Sequence, residues 1–490
     1  MGFHLRIIVR TRGLLPELRG IPAWYRGHAR GFTAILAAAF LSALAACDHR
    51  GATEPPRSPR LNVVVFVLDA ARADHFGTYG YHRPATPHID ALAAEATVFE
   101  HSFSEASYTT PSIVSLLTGA LVHEHGVLTP RALPPDTVTL AEHALQAGYR
   151  TYAYSESPFM SRWVGLDQGF TEFESAFPYE TLRAEPLQFP AFSSERAIDD
   201  MLAWAGANPA EPFFAYLHIL RPHNPYHPPA PFLGRFGSQP EHVSLGSTET
   251  LLAVADRRRS LSPAELQQVK ALYDENLAYG DQLFGRLWQG LRARDLDAHT
   301  LLVVCSDHGE AFREHGQLLH TKTVYDEMTH IPLIIRDPGH RRPRREPSLV
   351  QLTDVTATLV DVFDDAHSPH LGISGRSLLS LLRGGQAPPP RPVVSWAHPL
   401  YGFAAIRSPE FKVIVKSRAA GTRTWWFDLR KDPAERKPLA EPPTASAAAL
   451  LEGYGHLVTA GAGPPRSVPV PPDPGAAERL KALGYLEDGS

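Results

Sequence analysis

One stretch constrains this chain more than any other: Leu61-Asn-Val-Val-Val-Phe-Val-Leu68, followed at once by Asp69. A run of β-branched and apolar residues with no polar alternation fits a strand buried on both faces, as in a parallel sheet. Similar runs recur at Tyr149 to Tyr154, Phe213 to Ile219, Thr300 to Cys305 and Ile331 to Ile335. Helical patterns separate them, among them Thr86 to Glu95 and Pro263 to Arg292. Strands alternating with helices predict an α/β fold whose mostly parallel sheet is flanked by helices. The style changes near Pro388. Val393 to Trp396, Gly402 to Arg407, Phe411 to Lys416 and Thr424 to Leu429 predict a small C-terminal antiparallel sheet. Pro438 to Pro474, rich in Pro, Ala and Gly, is expected to be loop-like, with a closing helix over Ala476 to Leu486. The expected organisation is a signal peptide over 1–46, a tether over 47–60, a catalytic α/β domain over 61–387 and a C-terminal subdomain over 388–490.

The leader is basic up to Arg30, then apolar from Gly31 to Leu44, then Ala45-Ala46-Cys47. That order reads as an export signal, too short for a comfortable membrane span. Leu44-Ala-Ala-Cys47 resembles the lipobox of bacterial lipoproteins, which implies lipidation at Cys47 and an exported protein anchored in the cell envelope, in or facing the periplasm. The other cysteine, Cys305, lies inside an apolar run and reads as a buried thiol. A formal net charge of −5 leaves no basic footprint for nucleic acid.

Candidate chemistry gathers at strand ends. Asp69 closes the first run, and Asp307-His308 follows Leu301-Leu-Val-Val-Cys-Ser306. Ligands of open α/β sheets collect outside the carboxyl ends of strands, where two acids and a neutral imidazole can share a divalent cation. The alternative is that each Asp caps the next helix. Thr109 lies in Ser107-Tyr-Thr-Thr-Pro-Ser112, where Thr109 or Thr110 suits a helix cap and Pro111 the first turn. A hydroxyl at a helix start beside a cation would also be an activated nucleophile. His125, His218, His223 and His320 could each bind an anionic ester oxygen or protonate a leaving group. Lys322, just after His320, is a further substrate-binding candidate.

Several ordered motifs resemble the sulfatase family of the alkaline-phosphatase superfamily. They are Val67-Leu-Asp-Ala-Ala-Arg-Ala-Asp-His75, Tyr79-Gly-Tyr81, Thr86-Pro-His-Ile-Asp90, Thr109-Thr-Pro-Ser112 with Leu117-Thr-Gly119, and Ser306-Asp-His-Gly-Glu310. Ile331-Pro-Leu-Ile334, Gly375-Arg-Ser-Leu378, Phe427-Asp-Leu429 and Leu483-Gly-Tyr485 resemble later landmarks. The resemblance implies an alkaline-phosphatase-like core. Asp69, Thr109, Asp307 and His308 would face one metal ion, Thr109 would be the nucleophile, and His223 and His320 would contact the ester or its leaving group. His125, His218 and Lys322 stand beside these as candidates for substrate binding.

The departures change the expected chemistry. Sulfatases carry Cys or Ser at the Thr109 position, oxidised to formylglycine; threonine cannot supply that group, so none is expected. They carry Arg at the position of Ile113, a second Asp at that of Ala70 and Asn at that of His308, and their Gly-Lys-Trp-His-Leu-Gly segment has no counterpart over Ser155 to Asp167. Threonine with Asp-His ligands resembles instead the phosphodiesterases and head-group transferases of the superfamily. The expectation is a metal-dependent hydrolase of sulfate or phosphate esters on small-molecule, glycan or lipid substrates. Zinc, manganese, magnesium or calcium could serve, with the His ligand favouring zinc or manganese. A phospholipid head-group transferase and a catalytically silent envelope binding protein are the alternatives.

Overall fold

Strand β1 (Asn62–Leu68) takes in the first apolar run from Asn62 onward, and every residue of it is buried. The computed structural model describes residues 60–128, 131–176, 193–363, 372–418, 421–459 and 468–469. The leader, Cys47 and the helix expected over Ala476 to Leu486 lie outside the described residues. After β1 come β2 (Thr97–Phe103), β3 (Arg131–Ala132), β4 (Arg150–Ser155), β5 (Glu172–Ser175), β6 (Phe213–Ile219) and β7 (Thr300–Ser306). Then come β8 (Ala311–Phe312), β9 (Leu318–Leu319), β10 (Leu333–Arg336) and β11 (Arg344–Gln351). The C-terminal part holds β12 (Val393–Trp396), β13 (Phe403–Arg407), β14 (Phe411–Arg418), β15 (Gly421–Asp428) and β16 (Val468–Pro469).

Eight strands form one sheet in the order β11-β2-β10-β7-β1-β6-β4-β5. All neighbours in it are parallel except β10, which runs antiparallel to both β2 and β7. The fold is therefore the expected mostly parallel α/β sheet. Both faces are covered, which is why β1 is apolar throughout. On one face Val63, Val65, Val67, Tyr216, Val303 and Cys305 pack under helices Thr109–Thr118, Leu140–Gln146 and Leu352–Phe363. On the other, Val64, Phe66, Leu217, Leu302 and Val304 meet helices Pro87–Ala93, Ser194–Ala207 and Pro263–Arg292. Cys305 is the buried free thiol its context implies. The long helix starts where its sequence says it should: Ser262 caps it, Pro263 opens it, and Glu265 closes the reciprocal capping box.

Strands β2, β5 and β11 carry polar residues that hid them from an apolar-run reading. β11 includes Pro347 and lies at the sheet edge, where a missing N–H is tolerated. The C-terminal sheet, β12-β13-β14-β15, is antiparallel as expected. One expectation fails here. Within the supposedly loop-like Pro438 to Pro474, residues Ala445–Thr459 form a helix. Its Ala447, Leu450, Leu451, Tyr454 and Val458 pack on Ile406, Val413 and Val415. The i, i+3, i+4 spacing of these apolar residues outweighs the surrounding Pro and Gly. No described helix is long and apolar enough to cross a membrane.

Candidate metal centre and nucleophile

Strands β6, β1 and β7 are adjacent and parallel, with Val67 opposite His218 and Leu68 opposite Ser306. That register brings His218 and the residues just past β1 and β7, Asp69 and Asp307, to one end of the sheet. All three are fully buried, and one ligand atom from each lies within 4.8 Å of the others. Asp307 Oδ1 accepts the backbone N–H of Ala70 at 3.1 Å and of His308 at 2.9 Å. Asp69 Oδ2 lies 3.0 Å from His218 Nε2. The remaining oxygens, Asp69 Oδ1 and Asp307 Oδ2, are buried without hydrogen-bond partners. Each stands 3.5 Å from His308 Nε2.

His308 Nδ1 donates to the Gly309 carbonyl at 2.8 Å, so in the neutral ring Nε2 carries a lone pair. Two orphaned carboxylate oxygens and a bare imidazole nitrogen converging on one buried point fit a divalent cation. Without one, burial and then the charge of Asp307 push Asp69 well above the usual carboxylate range. The turn that makes this arrangement is strained: Ala70 has φ 61°, left-handed for a residue with a Cβ. Tyr273 holds it by donating to the Ala70 carbonyl at 2.8 Å and accepting from Arg72 N–H at 3.0 Å. Gly309 is required for closeness, since a Cβ there would lie 2.3 Å from the Glu327 carbonyl oxygen.

Thr109 opens the helix Thr109–Thr118 but does not cap it; Tyr108 is the N-cap, with no side-chain cap bond. The Thr109 hydroxyl instead lies 3.1 Å from His308 Nε2, in a buried position. The loop before it is tied to the C-terminal sheet. Trp396 N–H donates to Glu105 O and Ser107 N–H to Trp396 O, each at 2.9 Å. Ser107 O accepts from Thr321 N–H at 2.9 Å, joining the nucleophile loop to the segment bearing His320.

His223, His308 and His320 form a cluster, with ring centroids 4.4 Å apart for His308 and His320 and 5.0 Å for His223 and His320. His223 is placed by its N–H donating to Asp69 O at 3.1 Å and by Nδ1 donating to Asn224 O at 2.6 Å. His320 Nδ1 lies 3.0 Å from Glu310 Oε1, and Glu310 Oε2 accepts the Tyr226 hydroxyl at 2.9 Å. Burial pulls His223 down to about 3 and His320 down to about 4, and pushes Glu310 up to about 7. Leu319 and Thr321, flanking His320, both have positive φ, at 66° and 83°.

Asp69, Thr109, Asp307, His308, His223 and His320 are thus brought together. Three residues expected to bind substrate have other partners in the structure. His218 lies with Asp69 and Asp307, because β6 lies directly beside β1. His125 is held elsewhere: Nδ1 accepts from Val127 N–H at 2.9 Å and Nε2 lies 3.1 Å from Ser115 Oγ. It lines a different cavity, with Thr118 and His143. Lys322 turns to Asp256 Oδ1 at 3.6 Å and the Ala255 carbonyl at 3.4 Å. Glu310, Tyr226 and Tyr216 were missed. Glu310 had a signal, two residues past His308 in Ser-Asp-His-Gly-Glu; the tyrosines had none.

A profile of the family described as Sulfatase matches residues 61–365. A Delta 4,5-hexuronate-2-O-sulfatase of Bacteroides thetaiotaomicron is 24% identical over 452 residues, 84% of this chain and 92% of the relative. Arylsulfatase K of Gallus gallus is 25% identical over 447 residues, 80% of this chain and 81% of the relative. Among solved structures, the phosphonate monoester hydrolase of Agrobacterium radiobacter superposes with a TM-score of 0.64 at 22% identity, covering 81% of this chain and 95% of that one. A 2-O GAG sulfatase superposes at 0.63, also with 22% identity, over 81% and 92%.

Proposed function

The chain belongs to the sulfatase family of ester hydrolases, and from that premise we propose that it uses Thr109 and a divalent cation to hydrolyse phosphate esters at least as well as sulfate esters. The observation that carries this reading is the Thr109 hydroxyl 3.1 Å from His308 Nε2, at a helix start beside the buried Asp69 and Asp307. Asp69, Asp307, His308 and Thr109 would hold the cation. When bound, it lowers the pKa of a neighbouring hydroxyl and offsets charge on the ester oxygens.

The residues supply the rest. Thr109 Oγ, its proton released to solvent, attacks phosphorus or sulfur, forming one ester bond as the bond to the leaving oxygen breaks. Free N–H groups of the helix start favour the anionic group beside them. His320, oriented by Glu310, donates a proton to the leaving oxygen, while His223, whose ring proton is held at Nδ1 by Asn224 O, lines the site. Water then attacks the same centre, the bond to Thr109 Oγ breaks, and the threonine recovers its proton.

The departures from the family pattern support phosphorus. Thr109 has no second hydroxyl with which to expel sulfate by collapse to an aldehyde. Ile113 is fully buried in the core, so no cationic side chain reaches the nucleophile from that turn. The start of the Ser155 to Asp167 stretch places neutral Ser155 and Ser157 with Glu156 in the interior, where that family segment has Lys and His. The relatives' names place their chemistry on a hexuronate 2-O-sulfate and on aryl sulfates. A glycan, lipid or small-molecule ester is the proposed substrate, met in the cell envelope by a protein lipid-anchored at Cys47. The test is the ratio of kcat/KM for a matched aryl sulfate and aryl phosphodiester with zinc, manganese, magnesium and calcium in turn. A ratio strongly favouring sulfate, with Thr109 intact and unmodified by mass, defeats the reading.

A further inference from the structure

The turn after β1 presents one carboxylate to the centre, because Asp69 is followed by Ala70, whose side chain is a methyl group. The neighbouring strand supplies what the turn does not. His218 is fully buried on β6, and its Nε2 lies 3.0 Å from Asp69 Oδ2. We propose that His218 is a direct ligand of the divalent cation, making a centre of two imidazoles and two carboxylates that holds zinc or manganese in preference to calcium. The proposal rests on the reading that a cation occupies this centre.

The separations support a shared ion. Ligand atoms about 2.1 Å from one small cation stand roughly 3.0–3.4 Å from each other. His218 Nε2 stands 3.0 Å from Asp69 Oδ2, and His308 Nε2 stands 3.5 Å from Asp69 Oδ1 and from Asp307 Oδ2 and 3.1 Å from Thr109 Oγ1, so the two imidazoles meet the two oxygens of one Asp69 carboxylate. Ligand atoms of Asp69, His218 and Asp307 lie within 4.8 Å of one another. Second-shell chemistry fits as well. His218 Nδ1 lies 3.1 Å from the buried Tyr216 hydroxyl, which can accept the Nδ1 proton and so leave Nε2 its lone pair. His308 is oriented the same way by the Gly309 carbonyl. Calcium prefers six to eight oxygens, a demand that two buried imidazoles do not meet.

The competing arrangement has His218 donating Nε2–H to Asp69 while accepting from Tyr216, so that it orients a ligand without being one. X-ray absorption on the zinc-loaded full chain separates the two by counting imidazoles. Two are expected in the wild type and one in either His218→Ala or His308→Ala. Zinc affinity should fall about 10- to 100-fold in His218→Ala, with calcium affinity changed far less. His218→Gln keeps a donor for Asp69 and supplies no imidazole, so it should bind zinc as poorly as His218→Ala. One imidazole in the wild type, or zinc affinity restored by His218→Gln, overturns the ligand role. Full zinc content in Asp307→Ala would overturn the metal-centre reading itself, and the ligand role with it.

Discussion

Replacing Asp307 with Asn removes one charge from the centre and leaves its shape intact. Asp307 Oδ1 accepts two backbone N–H groups, from Ala70 and His308, and an amide oxygen accepts them equally well. The amide nitrogen would then occupy the place of Oδ2, which has no hydrogen-bond partner. Without a cation, the wild type buries the carboxylates of Asp69 and Asp307 with ligand atoms within 4.8 Å of one another. Two unit charges at that distance repel by about 3 kcal/mol at an effective dielectric near 20. Sharing a proton relieves part of this, and despite burial His308 and His218 favour the Asp307 charge, so metal-free Asp307→Asn should be more stable than metal-free wild type by about 1–2 kcal/mol. Asp69 is raised in the metal-free fold, so its contribution is present at and below the ordinary carboxylate range and is lost as pH rises beyond it. The variant's advantage should therefore grow from pH 4 toward neutrality. With cation the order reverses. Binding at 1,000 times Kd stabilises by about 4 kcal/mol, and a hundredfold loss of affinity takes away about 2.7 kcal/mol of that. Thermal unfolding of both proteins, chelated and zinc-loaded, reads the result directly. The variant should melt above wild type when chelated and below it when loaded. A variant that melts below wild type in both states would refute the reasoning, since it would mean that Asp307 stabilises the fold without a cation.

Thr109→Ala should remove nearly all turnover, while Thr109→Ser keeps part of it through its hydroxyl; unchanged rates in Thr109→Ala would leave the residue a structural one. Glu310→Gln should slow esters with poor leaving groups more than nitrophenyl esters, because it disturbs the orientation of His320; equal slowing of both argues against that role. Burial pushes Glu105 from 4.5 up to about 7, although Thr353 N–H donates to it at 2.9 Å. Its neutral form stabilises the fold fully below pH 4.5 and that stability is lost as pH rises through 7, so Glu105→Gln should gain on the order of 3 kcal/mol over wild type by pH 8–9 in denaturant melts and nothing at pH 4. Mass spectrometry of the protein purified from cells that express the full chain should find Cys47 as a lipid-modified N-terminus, and an unmodified Cys47 would end that assignment.

Local pattern alone made much of this protein legible. A strand buried on both faces must be apolar at every position, and a helix must begin where its free N–H groups find a cap. β1, β4, β6, β7 and the helix Pro263–Arg292 follow from those two demands. Asp69 and Asp307-His308 were readable because each directly follows such a strand, and strand ends are where a parallel sheet collects its ligands. Strand order was not readable, because pairing is decided by packing between segments far apart in the chain. β6 lies beside β1 across about 150 residues, and only that adjacency brings His218 to Asp69. The pairing of Glu310 with His320, and the turning of Lys322 toward Asp256, depend likewise on a loop whose path is held by Tyr226 and by backbone bonds to the C-terminal sheet. Residue types name the chemistry available to a site. Which side chains converge on one point depends on direction as well as position, and direction at loops and strand ends is set by tertiary contacts that no short stretch of sequence contains.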